Sequence, residues 1–271
     1  MNLFVDWLLN LSTNWMPSSS STSTEWLLSL LSPVLALILV NYKRETFAGI
    51  FNRLIQRCHA YISDGMREVY NKSVIKRKED LFQTMAKDQI FQKGKKILEI
   101  GSGSGANLEF FPKDANISLV ALDSNEYCRP YLEKRLESFP NVRLDSYLIA
   151  SAEDMSRIES NSIDCVLSTI VLCSVKNQKN VLREIKRVLK PGCRFYFMEN
   201  VIANNGSIMS RFQNALNPVN KVILDGCNVN RETLPEIKNA GFSKVHYERF
   251  EANLEYVCAM FRPHITGYAE K

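Results

Sequence analysis

The sequence predicts an α/β fold of the nucleotide-cofactor type, and three observations carry that prediction. Residues 96–112 read KILEIGSGSGANLEFFP, an apolar strand that ends in an acid and runs directly into a loop with glycine at every second position. A second apolar run, Ile117 to Leu122, stops at Asp123. Farther on, a helix with 3.6-residue periodicity presents Val181, Leu182, Ile185, Val188 and Leu189 on one face, with Lys179, Arg183, Lys186 and Arg187 elsewhere.

Each element has its own warrant. Gly101, Gly103 and Gly105 let a ligand lie against backbone with no Cβ between, and such a turn often needs φ > 0. Alone, the pattern also fits NAD-binding Rossmann domains and ordinary turns. An acid at the end of the second strand, Asp123, can accept both ribose hydroxyls of an adenosine. A third strand, Tyr147 to Ala150, leads into Ser151-Ala152-Glu153-Asp154-Met155, whose acids suit an adenine amino group. Ile163 to Leu167 is a fourth strand, continued by the uncharged Ser168 to Ser174 as a strand end and pocket floor. The periodic helix is expected to end at Leu189-Lys190-Pro191-Gly192, before a fifth strand, Arg194 to Met198, that closes at Glu199-Asn200.

The segments LEIGSGSG, AEDM, DCVLSTIVLCSV and VLREIKRVLKPGCRFYFMEN, with the acid closing the second strand, resemble a class I S-adenosylmethionine-dependent methyltransferase over roughly residues 90–200. From residue 75 onward, VLCSV, DGCNVNRETLPEIKNAGF and PHITGYA resemble more closely the methyltransferase-like 7 family of membrane-bound alkyl thiol S-methyltransferases. Two departures stand out: Gly101-Ser102-Gly103-Ser104-Gly105 replaces the family's usual GCGTG, and Asn200 stands where a His is usual. The first keeps the glycines; the second removes any inferred histidine role at that position.

The resemblance implies a Rossmann-like fold: a seven-stranded, mostly parallel sheet with helices on both faces. Phe242 to Phe250 and Tyr256 to Ala269 would form a last antiparallel pair, and residues 201–235 a partial cap over the acceptor. It implies S-adenosylmethionine as cofactor and no metal. Glu99, Gly101, Gly103 and Gly105, with Ser102 and Asn107, would hold its methionine end; Asp123, with Ser124 beside it, the ribose; Glu153 and Asp154 the border of the adenine. Thr169 would lie near the reacting centre, and Glu199 and Asp225 beside the acceptor, where either alternatively positions a loop. Plainer readings exist: a helix cap or turn for Asp123, a solvated strand-end charge for Glu99, an ordinary acidic surface loop for Glu153 and Asp154.

Methyl transfer from a sulfonium requires in-line alignment and exclusion of water. A thiol, with a reference pKa near 8.5, is already a few per cent thiolate at neutral pH, so a dedicated base is optional. An amine or hydroxyl acceptor would need one, and the sequence offers no histidine at the expected pocket wall. That favours a small lipophilic thiol, with another O or N acceptor as the alternative. An NAD-dependent oxidoreductase is disfavoured because the third glycine comes one residue too early for G-x-G-x-x-G. A membrane-anchored interaction protein without catalysis is disfavoured by the intact glycines.

The expected organisation is a hydrophobic membrane anchor over residues 1–42, a basic amphipathic helical linker over 43–80 and the methyltransferase domain over 81–271. Trp26 to Tyr42 carries no charge and spans about 25 Å as a helix, a little short of a hydrocarbon core of about 30 Å. Pro33 within it suits a membrane helix, an interfacial segment or a hairpin. A cleaved signal peptide competes, but a basic leader and a small-residue cleavage site are lacking. Residues 1–11 are apolar and 12–25 form a Ser/Thr-rich linker. Lys and Arg are absent before Lys43 and frequent after it, which places the catalytic domain in the cytosol. The resemblance adds the endoplasmic reticulum membrane or the lipid droplet as location. Residues 44–70 form an amphipathic helix, with Phe47, Ile50, Phe51, Leu54, Ile55, Cys58 and Ile62 on one side, that either covers the cofactor domain or rests on anionic lipid.

A formal net charge of +5, from 34 basic against 29 acidic residues, is too small to imply nucleic acid. The seven cysteines, 58, 128, 165, 173, 193, 227 and 258, contain no C-x-x-C pair, so neither a disulfide framework nor a zinc site is indicated. Most are expected to pack as small core hydrophobes, with Cys173 and Cys227 bordering the substrate pocket. The spacing of His59, His246 and His264 forms no metal cluster, and His264 is read as a core or rim histidine.

Overall fold

Strands β1 (Lys96–Ile100), β2 (Ile117–Asp123), β3 (Val142–Ile149), β4 (Ile163–Thr169), β5 (Leu189–Asn200), β6 (Lys244–Glu251) and β7 (Pro263–Glu270) make one sheet in the computed structural model. Their order is β3-β2-β1-β4-β5-β7-β6. The first five run parallel, and β7 lies antiparallel between β5 and β6. The helices are α1 (Ser23–Lys87), α2 (Arg129–Leu136), α3 (Gln178–Val188), α4 (Ile208–Ile223) and α5 (Thr233–Asn239). The structure describes residues 23–254 and 256–271, with side chains from residue 49 on except 255–258; residues 1–22 and the side chains of the expected anchor lie outside it. Among the described residues no helix is long and apolar enough to cross a membrane. They fall into two units that meet between Leu54 and Ile55. In the first the backbone is helical and Ile50, Phe51 and Leu54 are exposed. The second holds the sheet.

Strands buried on both faces read as continuous apolar runs, and the two-residue period divides each run between two cores. Leu98, Ile100, Val120, Leu122, Val166, Phe195 and Phe197 pack on one face against Val181, Leu182, Ile185 and Val188 of α3 and Leu234 and Ile237 of α5. Ile97, Leu119, Ala121, Cys165, Leu167, Tyr196 and Met198 pack on the other against Val74, Leu81, Phe82 and Met85 of α1 and Leu132 of α2. The apolar stripe read for α3 is thus its buried face, and the Asn177 side chain caps its start by accepting from the Asn180 N–H.

Three expectations are corrected. The helix before the fifth strand ends at Val188, because Leu189 already pairs with Ile163 as the first residue of β5. The register then shifts between Ile163 and Cys165, and that irregularity takes up Pro191 and Gly192 inside the strand. In the C-terminal pair, Tyr256–Phe261 is a 3-10 helix and the strand begins at Pro263, a first position where a residue without an N–H is tolerated. The third concerns α1. Between Gln56 and Asn71 it is tied to the domain by polar contacts: the Asn125 side chain donates to the Gln56 carbonyl at 2.9 Å, Arg135 pairs with Asp64 at 2.5 Å, and Asn71 donates to the Ala106 carbonyl at 2.8 Å; the apolar packing begins only at Val74. Cys58 and Ile62, on the apolar side read for this segment, are exposed, so of its two expected placements that side does not cover the cofactor domain there.

β6 and β7 approach closely at Gly267, where an added Cβ would strike the His246 carbonyl and come within 2.8 Å of the Tyr247 Cα. Both obstacles are backbone and cannot swing aside. Gly267→Ala is expected to destabilise the fold by about 1–3 kcal/mol, lowering the thermal midpoint by about 2–4 °C per kcal/mol. An unchanged midpoint in calorimetry would contradict this account of the β6–β7 contact.

Candidate active site

The strand order reverses between β1 and β4, and in such sheets ligands bind beyond the carboxyl ends of the strands at that reversal. The sequence-predicted residues gather there: Glu99 and the glycine loop after β1, Asp123 closing β2, Thr169 closing β4 and Glu199 near the end of β5. Gly101, Gly103 and Gly105 all have positive φ, as the loop reading required. A Cβ on Gly101 would run into the Val171 side chain. The Asp123 carboxylate accepts from the Gly103 N–H and the Asn125 N–H, each at 2.8 Å, so β2 holds the glycine loop directly. Burial raises the Asp123 carboxyl above its ordinary pKa, and those two donors work against the rise.

Beneath the loop lies a charge that sequence reading missed. Lys78 of α1 is fully buried; its ammonium donates to Asn71 Oδ1 and Asn107 Oδ1, both at 2.7 Å, and faces the Phe110 ring at 5.1 Å. The Asn107 amide group passes the contact onward, donating to Glu99 Oε1 at 2.7 Å and Thr169 Oγ1 at 3.0 Å. Burial draws Lys78 down to about 7, although the negative charges of Glu99 and Glu109 oppose this. Burial likewise lifts Glu99 to about 7, against the Asn107 hydrogen bond and the Lys78 charge. Glu99 Oε2 is buried and has no hydrogen-bond partner, and the buried Ser102 hydroxyl lies beside the Tyr147 phenol.

The floor of the site is braced from β5. Ile170 directly follows β4 at φ +57, a strained conformation for a β-branched residue. Glu199, fully buried, holds the turn by accepting from Ser168 Oγ at 2.6 Å and from the N–H groups of Val171 and Leu172 at 2.9 and 3.0 Å. Burial raises its carboxyl to about 7 against these donors. Of the two roles weighed for Glu199, loop positioning is the one its contacts serve. Cys173 and Cys227 lie beyond the turn with sulfurs 3.3 Å apart; the hydrogen bond they share lowers the Cys227 thiol and, with burial, raises Cys173. Met209, Leu216 and Leu224 of the capping segment pack on this sulfur-rich cluster, together with Val229 and Met260. The Asn200 amide is buried beside the Cys227 thiol.

Other predicted residues are placed as follows. Asp225, at φ +45, has a carboxylate oxygen 4.0 Å from His59 Nδ1. His59 comes from α1, in the segment read as a linker. His264 is a satisfied core residue: Nδ1 donates to the Arg262 carbonyl, so Nε2 accepts from the Tyr70 hydroxyl, and burial lowers its pKa to about 4. Ser124 is exposed beside Asp123. Glu153 accepts from the Asn177 N–H at the start of α3, while Asp154 is exposed and accepts from the Ser156 N–H of its own turn. Lys78, Asn71 and His59 escaped the sequence reading. The one available signal was Lys78 itself, a lysine at helical spacing among Val74, Leu81, Phe82 and Met85.

Comparison with known proteins identifies this geometry. A family model described as a methyltransferase domain matches residues 98–197. The chain is 34% identical to the human thiol S-methyltransferase TMT1A over 226 residues, covering 83% of this chain and 91% of that protein. It is 31% identical to human TMT1B over 246 residues, covering 90% and 99%. The chain belongs to the thiol S-methyltransferase TMT1 family. It is therefore a class I S-adenosylmethionine-dependent methyltransferase. Among solved structures, the cyclase SpnF superposes with a TM-score of 0.56 at 16% identity, covering 71% of this chain and 80% of that one. A SAM-dependent methyltransferase from Methanosarcina mazei superposes at 0.52 and 19%, covering 69% and 96%. At such identities the likeness concerns the fold alone.

The residues fit this cofactor. A buried polar atom without a partner, Glu99 Oε2, lies at the loop expected to hold the methionine end, and Asp123 keeps lone pairs for a ribose. If Glu99 Oε2 receives the cofactor's ammonium, binding requires the ionised carboxylate. Affinity is then expected to plateau above pH 7 and to fall as pH drops through about 7 toward a limit of tenfold per unit. Removing the neighbouring cation in Lys78→Met makes Glu99 harder to ionise and moves the midpoint to higher pH. Calorimetric titration with S-adenosylmethionine across pH checks both; a flat profile in either protein contradicts the role given to Glu99.

Proposed function

We propose that this enzyme methylates the sulfur of small lipophilic thiols at a membrane surface. The observation that carries the reading is identity to thiol S-methyltransferases across most of both chains. The site's chemistry supports it. When bound, the cofactor supplies a methyl group already activated on a sulfonium. The protein must then align the acceptor and keep water out, and its residues do both. Asn107 fixes Thr169 against Glu99, Glu199 fixes the turn at Ile170–Leu172, and α1 closes over Asp123 through the Asn125–Gln56 bond. The wall formed by Cys173, Cys227, Val229, Met260 and Leu216 suits an apolar thiol.

One observation favours a second reading. The His59–Asp225 pair supplies a histidine beside an acid expected near the acceptor, a group that could act as base for a hydroxyl or amine. The location belongs to the proposal as well: the uncharged N-terminal stretch anchors the chain on the endoplasmic reticulum membrane or lipid droplet with the catalytic domain in the cytosol. Alkaline extraction and protease protection of the full chain test that arrangement.

Incubation of the purified protein with methyl-labelled S-adenosylmethionine and matched alkyl thiol, alcohol and amine is expected to label the thiol alone. Asp123→Ala removes charged hydrogen bonds worth about 1.5–3 kcal/mol and should weaken cofactor binding by roughly ten- to a hundredfold. His59→Ala should leave thiol labelling within about threefold, because a thiol does not depend on a dedicated base. Label on alcohol or amine, abolished in His59→Ala, would establish the second reading instead.

A further inference from the structure

Helix α4 is built inside out. Its buried side is polar: Gln213 is fully buried, with Oε1 accepting from the Ala203 N–H and Nε2 donating to the Val201 and Met260 carbonyls. Ser210 is buried beside it, and Asn217 and Asn220 bond to Asn228 and to the Met260 sulfur. The outward side is apolar. Ile208, Phe212, Val219, Val222 and Ile223 recur at helical spacing along one stripe and are 87, 50, 54, 57 and 51% exposed. A helix whose solvent-facing stripe is aliphatic and aromatic while its inner face is amide-rich reverses the ordinary pattern, so that stripe is selected for something other than water.

We infer that the outward face of α4 is a lipid-docking surface, laid on an anionic membrane beside the acceptor wall. The charge pattern decides among occupants. Within Ile208–Ile223 there is no Asp or Glu, while Arg211 and Lys221 are exposed. Arg211 borders the stripe on the side of Val222, so two copies meeting through this face would bring guanidinium groups to it with no carboxylate of the helix to pair them. Anionic headgroups supply the missing charge while the acyl boundary takes the stripe. Asp225, just past α4, is the partner of His59. Met209 and Leu216, on the flank of α4 next to this stripe, cover the Cys173–Cys227 cluster, so the docked face adjoins the acceptor wall. The inference rests on the lipid-surface part of the proposed function and is read out separately from it.

The test uses the full chain with Trp7, Trp15 and Trp26 changed to Phe and a single reporter, Phe212→Trp. It is mixed with vesicles of two parts phosphatidylcholine to one part phosphatidylserine whose acyl chains are brominated. Emission is expected to shift to the blue and be roughly halved by bromine contact at the acyl boundary, less so at high salt or with phosphatidylcholine alone. Vesicle flotation without quenching would overturn the inference while leaving an anchor elsewhere intact; failure to float would overturn both readings. Emission already blue without vesicles would overturn it too, in favour of a second copy if the shift depends on concentration and of this chain's own N-terminal segment if it does not. As a second variant, Phe212→Gln/Val219→Gln/Val222→Gln should keep cofactor affinity and the KM for a water-soluble thiol, and raise the apparent KM severalfold for an alkyl thiol dissolved in vesicles. An unchanged KM in vesicles contradicts the docking role.

Discussion

A lysine ammonium inside the protein, beneath the cofactor loop, is the constraint on which the rest depends. A buried charge without partners costs several kcal/mol, so Lys78 persists only because everything around it is arranged to receive it. Asn71 meets it from its own helix, the Phe110 ring faces it, and Asn107 turns its oxygen toward it. That last orientation leaves the Asn107 N–H groups only one way to point, toward Glu99 and Thr169. One cation thereby ties α1, the glycine loop and the end of β4 into a single unit. The ionised state of Glu99 becomes a property of a helix far from it in sequence.

A buried carboxylate plays the matching part on the acceptor side. Glu199 collects donors from Ser168, Val171 and Leu172 and so maintains the left-handed turn at Ile170 that no β-branched residue adopts freely. The turn in turn presses Val171 against Gly101, where any side chain would collide with it. Cofactor loop and acceptor turn therefore share a van der Waals boundary, and neither can relax without the other.

Much of this was legible in the sequence because period-two burial and glycine geometry are local signals. The five parallel strands, the buried stripe of α3 and the positive-φ glycines follow from residues a few positions apart. What was not legible depends on contacts between distant segments. Lys78 and His59 lie in a stretch whose composition reads as a basic linker, and the one local signal, a lysine among Val74, Leu81, Phe82 and Met85, does not show what receives its charge. The β5 start was misjudged for a related reason: Leu189 continues the α3 periodicity, but its pairing with Ile163 decides its state. Glu199 was recognised as important, yet whether a strand-end acid faces a ligand or a loop is settled only by where the loop's N–H groups point.

The position of β7 in the sheet has a consequence for how the chain is made. It lies between β5 and β6, yet it is synthesised after every other strand. Until Pro263–Glu270 has left the ribosome, β5 presents an open, strongly apolar edge and β6 has no partner at all. Nascent chains must wait in that state, and a stop codon or cleavage upstream of Pro263 would leave them there permanently, as substrates for chaperones and proteases rather than as shortened enzymes.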